Sequence, residues 1–192
     1  WTSGAHPRSK VLQTPAAAKG GGYPRIAVLP LDAAHGSFVK QEIKSLNRSA
    51  DSSGSNASFA LNLYEAYEYF RGGDPRAGDI AGKGAKIDFR AFGAGGKYAS
   101  PAAGSCGRNY IIFIANGGPS KNEDSESAPI LERLTGTIPL KPIPYTFKDP
   151  GSWTDESARF MSGQDVGDME GSQTITTYTV AVTVTPGSTP PC

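Results

Sequence analysis

The chain is short of the features that announce a function. Its 192 residues include two cysteines, two histidines, two methionines and two tryptophans, and only 19% of them are charged. His6 and His35 are the only imidazoles that could serve as a base. The net charge is +1, without a block of like charges, so no electrostatic footprint for nucleic acid or an anionic membrane exists. The longest apolar run, YIIFIA at 110–115, falls far short of the roughly 18 residues of a membrane-spanning helix. No Gly-x-Ser-x-Gly elbow occurs. GDIAGKGAK and FGAGGKY look like phosphate loops, but the first glycine of the pattern is missing (Ala77 and Ala91 stand there) and no Ser or Thr follows the lysine.

What is abundant is glycine (24) and proline (15), so much of the length is expected as loop. One domain of this size can still bury a core. Residues 1–22 lack periodicity and end in three glycines, which marks an N-terminal arm or linker. The domain is expected over 23–185, and 186–192 (PGSTPPC) as a tail. The chain starts at Trp1 without a basic-then-apolar leader, which reads as a processed product or an excerpt of a longer chain. The low charge and the Thr/Ser/Gly-rich ending point to an exported protein; the sequons at Asn47 and Asn56 carry little weight by themselves.

The periodicities predict alternating helices and strands. RIAVLPL (25–31) reads as a short strand stopped by Pro30. SFVKQEIKSL (37–46) reads as an amphipathic helix capped by Ser37, with Phe38, Val39, Ile43 and Leu46 on one face. FALNLYEAYEYF (59–70) carries the clearest helical stripe, from Phe59 through Leu63, Ala66 and Tyr67 to Phe70, and Gly72-Gly73 ends it. Residues 71–107 read as a long surface excursion. YIIFIA reads as a strand buried on both faces. SAPILERL (127–134) makes a helical turn or two, and the four prolines of 137–150 exclude a regular central element. WTDESARFMSG (153–163) is a helix capped by Thr154, with Trp153, Ala158 and Phe160 or Met161 inward. TITTYTVAVTVT (174–185) is dense in β-branched residues and reads as a strand. Together these predict an α/β layer with parallel strands.

Candidate sites are few. Cys106 and Cys192 fit no metal spacing and stand as one disulfide, two free thiols or bridges to other chains. A bridge between them would close a loop of about 85 residues, worth on the order of 4 kcal/mol in the chain-entropy account. His35, in a loop after Leu31-Asp32, and Cys106 are the nearest things to a catalytic base and nucleophile. The clusters Asp165, Asp168, Glu170 and Glu123, Asp124, Glu126 are oxygen-rich but lack the twelve-residue calcium-loop spacing, so they read as solvated carboxylates. Asp51-Ser-Ser-Gly-Ser55 matches the Asp-x-Ser-x-Ser motif that supplies magnesium ligands in von Willebrand factor A-type domains. That motif needs a buried strand before it, and the polar, amphipathic IKSLNRSA stands there, so Asp51, Ser53 and Ser55 read as a chance match.

Three segments in order resemble the A-type domain of type IV pilus tip adhesins, the PilY family. The stretch 44–73 is similar to that family's helix–loop–helix, with Leu63-Tyr-Glu-Ala-Tyr-Glu-Tyr-Phe70 matching its helix ending. SPAAGSCGRNYIIFIANGGPSKNED (100–124) is similar to the segment with a cysteine before a strand that ends in Thr-Asp-Gly, and 153–184 resembles the next helix and strand. The resemblance implies a von Willebrand factor A-like, Rossmann-type layer, mostly parallel sheet flanked by helices, incomplete or degenerate. It also implies a degenerate metal site. Ala115 or Asn116 stands at the family's aspartate, Ala57 at its threonine, and the first central strand with its own motif is missing. An alanine coordinates nothing, so no cofactor and no metal are expected. The implied function is non-enzymatic: adhesion or appendage assembly, extracellular, at the cell surface or on a pilus, as a homo- or hetero-oligomer. Its partners would be other pilus or filament subunits, or a host or abiotic surface. The alternative is a repeating filament or coat subunit assembled through its arm and its β-rich tail by strand addition.

Overall fold

The computed structural model describes residues 22–46, 59–76, 87–104, 106–115, 124–135 and 153–181. They form four helices and two strands in the order α1 (Ala33–Lys44), α2 (Phe59–Phe70), β1 (Asn109–Ala115), α3 (Asp124–Thr135), α4 (Thr154–Gly163), β2 (Ile175–Ala181). β1 and β2 pair in parallel, Asn109 against Ile175 through Ala115 against Ala181. A mixed α/β class is therefore present, with the parallel pairing expected from helices lying between strands. The von Willebrand factor A-like sheet is a finer matter: the sheet of the described residues has two strands.

The core forms where helices meet one face of this sheet. Leu63 and Tyr67 of α2, Phe160 and Met161 of α4, Val166, Ala102 and Ile175 make one buried cluster, with Ile111, Phe113 and Leu134 packed against it. Two edge-to-face aromatic pairs close it, Tyr67 with Phe160 at 5.2 Å and Phe59 with Phe113 at 5.0 Å between ring centroids. α2 keeps the predicted limits, 59–70. It is more deeply embedded than a one-face stripe implies, since Glu65 and Glu68 are buried alongside Leu61 and Leu63. Both carboxylates fasten loops to the helix. Glu65 accepts the Tyr98 hydroxyl and the Arg76 N–H, and Glu68 takes Arg71 in a two-pronged ion pair, 2.7 Å at its shortest.

Several expectations are corrected. The 25–31 stretch is not a strand among the described residues: its Ala27 and Val28 N–H groups donate to Asp88 and to the Tyr69 hydroxyl, which leaves them no ladder partner. α1 starts four residues before Ser37, because Asp32 caps it by accepting the His35 N–H at 2.7 Å. Ser37 lies inside the helix and donates to the Ala33 carbonyl. Ile43 and Leu46, expected inward, are exposed. The cap of α4 is Trp153, not Thr154, and it makes no side-chain capping bond.

Residues 87–104 are not a surface excursion. Ile87, Ala91, Tyr98 and Ala102 are buried, two 3₁₀ turns (Phe89–Ala91 and Ala94–Gly96) shape the segment, and Phe92 bridges Tyr98. Gly95 and Gly96 both take positive φ, 74° and 79°, so FGAGGKY folds as a tight turn. The other glycine-rich stretch, GDIAGKGAK at 78–86, lies outside the described residues.

Candidate functional site

β1 alternates in burial along its whole length, so the expectation that both its faces are buried fails. Ile111 and Phe113 point to the helices, while Tyr110, Ile112 and Ile114 are 48%, 66% and 68% exposed. The parallel register sets Thr176, Tyr178 and Val180 of β2 beside them, with Tyr178 and Val180 56% and 47% exposed. The two faces are separated by the pleat alone, since successive side chains point to opposite sides. The result is an apolar outer face with no charged side chain, and Tyr110 and Tyr178 stack across it at 6.1 Å. Parallel sheets are ordinarily covered on both faces. Here a strand pair of parallel-sheet composition presents one face to solvent, and that makes it the candidate working surface.

Of the degenerate metal-site positions expected from the sequence, one falls among the described residues. Ala115 ends β1 opposite Ala181, and its methyl offers no ligand. Asn116, Ala57, Asp51, Ser53 and Ser55 lie outside the described residues, as do Glu123, His6 and both sequons. Among the described residues no group of three His, Cys, Asp or Glu side chains is arranged to hold a metal ion. The acidic 163–171 loop, expected as solvated carboxylates, uses two of them structurally. Asp165 accepts the N–H groups of Gly167 (3.1 Å) and Gln173 (3.0 Å), and Asp168 accepts that of Gly104 at 2.7 Å. Those bonds hold the loop before β2 in shape and tie it to the 101–104 turn that precedes β1.

His35 is not in a loop. It is in the first turn of α1, buried, stacked on Phe38 at 6.2 Å, with its Nδ1 unpartnered. A buried ring on a structural helix gives no access to substrate. Cys106 is exposed and free; Cys192, the other end of the candidate bridge, lies outside the described residues. No helix among the described residues is long and apolar enough to cross a membrane.

The outer face is hard to read from the sequence because YIIFIA is a continuous apolar run. Such a run hides alternation, and only the burial of its odd-numbered residues against the helices separates core from surface. β2 gives no clearer signal: adjacent Thr176 and Thr177 break its alternation, so Ile175 is buried while Tyr178 and Val180, on the other face, are exposed.

Compared with known proteins, the chain matches no family, no curated sequence and no solved structure.

Proposed function

We propose that this chain is a non-enzymatic protein of the cell surface or of a pilus-like appendage, acting in adhesion or appendage assembly through protein contacts and not through a bound metal. The observation that carries the reading is the outer sheet face: five apolar side chains, uncharged, continuous and solvent-exposed on one rigid element. Contiguous apolar patches of this kind mark interaction sites. The resemblance of three ordered segments to pilus tip adhesins supplies the biological setting. Chemistry of the acid–base type finds little support, since His35 is buried in a helix and Asp165 and Asp168 are bound to backbone N–H groups.

The same face suits the second reading, a repeating filament subunit, because an uncovered parallel pair also invites subunit contact. The two readings part on concentration: a filament subunit grows into fibres, an adhesin does not.

Cosedimentation with purified type IV pilus filaments, with magnesium and with a chelator, tests the proposal. Retention of the protein on the filaments to the same extent in both conditions is expected. Retention abolished by the chelator, or none at all, overturns it.

A further inference from the structure

We infer that the outer face of the β1–β2 sheet is the interface of a two-fold homodimer. This rests on the reading above, in which the face works by protein contact, and it names the partner as a second copy of the chain.

The chemistry of the face is self-complementary. Tyr110, Ile112, Ile114, Thr176, Tyr178 and Val180 include no charge, so a partner needs no matching charge pattern and an identical face serves. A two-fold interface brings one patch against itself, and it is the commonest closed arrangement of soluble chains. Two sheets pack face to face about 10 Å apart with their strands nearly aligned. That packing supplies the second cover that a parallel pair ordinarily has. Ile112 and Tyr178 stand directly opposite each other at the middle of the register, so a two-fold axis near them places both at the centre of the contact.

The area decides how strong the pairing is. Tyr110 and Tyr178 are about half exposed. An aromatic side chain buries roughly 150–250 Å² when covered, so each offers on the order of 100 Å². With the other four residues the face reaches on the order of 500 Å², the size of the largest apolar patch on a typical monomer. Two such faces remove on the order of 1,000 Å² from water, which is the lower bound for a specific interface. The dimer is therefore weak, and dissociates on dilution.

Sedimentation velocity of the full chain, from roughly 1 µM to roughly 1 mM, covers the range in which such an interface associates. A monomer–dimer equilibrium is expected. Ile112→Lys places an ammonium at the centre and weakens association at least tenfold. Thr176→Arg, at an exposed position, does the same from the edge of the face. Near-ultraviolet circular dichroism checks that both variants keep the fold. A wild-type chain that stays monomeric throughout overturns the inference, as does a dimer that both variants leave unchanged, or growth past the dimer into fibres. The pilus cosedimentation reads the adhesin proposal separately: a monomer that still binds filaments sinks the dimer and leaves that proposal standing.

Discussion

Asp88 accepts the backbone N–H of Ala27 at 2.8 Å, across 61 residues of chain. The same carboxylate takes the Arg90 guanidinium through both oxygens, and Arg90 in turn lies over the Phe38 ring at 4.3 Å. Asp88 thereby holds the 25–28 segment and, through Arg90, α1 against the 87–91 turn. Replacing it orphans an N–H that no strand partner satisfies. Asp88→Ala is expected to lower stability by about 1–3 kcal/mol in urea denaturation, the cost of an unsatisfied buried donor. Asp88→Asn, which keeps an acceptor, is expected to cost less.

The same carboxyl gives an acid dependence. Burial alone would raise its pKa, but the Arg90 guanidinium and the N–H groups of Ala27 and Arg90 outweigh burial and hold it below the ordinary 3.8. A depressed carboxyl contributes stability that is present above its unfolded value and is lost as pH falls through the folded one. Thermal melts should therefore lose this contribution below about pH 4. In Asp88→Asn that part of the acid sensitivity should disappear; an unchanged acid profile contradicts the assignment.

At the alkaline end, Tyr64, Tyr67 and Tyr69 are held protonated past their ordinary 10.0. Burial is the main cause for all three, and the neighbouring Glu68 adds to it for Tyr64. The unfolded chain releases these protons first, so stability falls as pH rises above 10.0. Phenolate absorbance should titrate in two groups, with the late group becoming normal in denaturant. A single transition near the ordinary value counts against the packing of α2.

Gly73 closes the C-terminal end of α2 so tightly that an added Cβ would overlap Glu68 Oε2 and stand 2.9 Å from Arg71 Nε. The Glu68–Arg71 pair would have to open, and Glu68 is nearly fully buried. Gly73→Ala is expected to cost about 1–3 kcal/mol by calorimetry, as overpacking does elsewhere. Gly104→Ala, where open space surrounds the position, carries only the cost of a positive φ and should cost less.

The sequence makes α2, α4 and both strands legible because each is set by a local period or by β-branched density. It fails where long-range bonds decide. Nothing near 25–31 signals that two of its N–H groups are claimed by Asp88 and Tyr69, 61 and 41 residues away. Glycine and charge in 87–104 read as surface, yet Tyr98 is drawn inward by a carboxylate on α2, 33 residues before it. Asp32, a better cap than Ser37, is hidden by the leucines and proline before it. That Ala115 offers no metal ligand is readable from the residue alone; the exposed sheet face beside it is not.

The central claim, that the outer sheet face is the working surface, is tested most directly by comparing wild type and Ile112→Lys for cosedimentation with purified type IV pilus filaments. Ile112 is 66% exposed, so the substitution leaves the core alone. At dilutions where the weak dimer is dissociated and the face is free, the account predicts that wild type is carried down and that the variant, equally folded, stays in solution. Equal retention of the two proteins would contradict it.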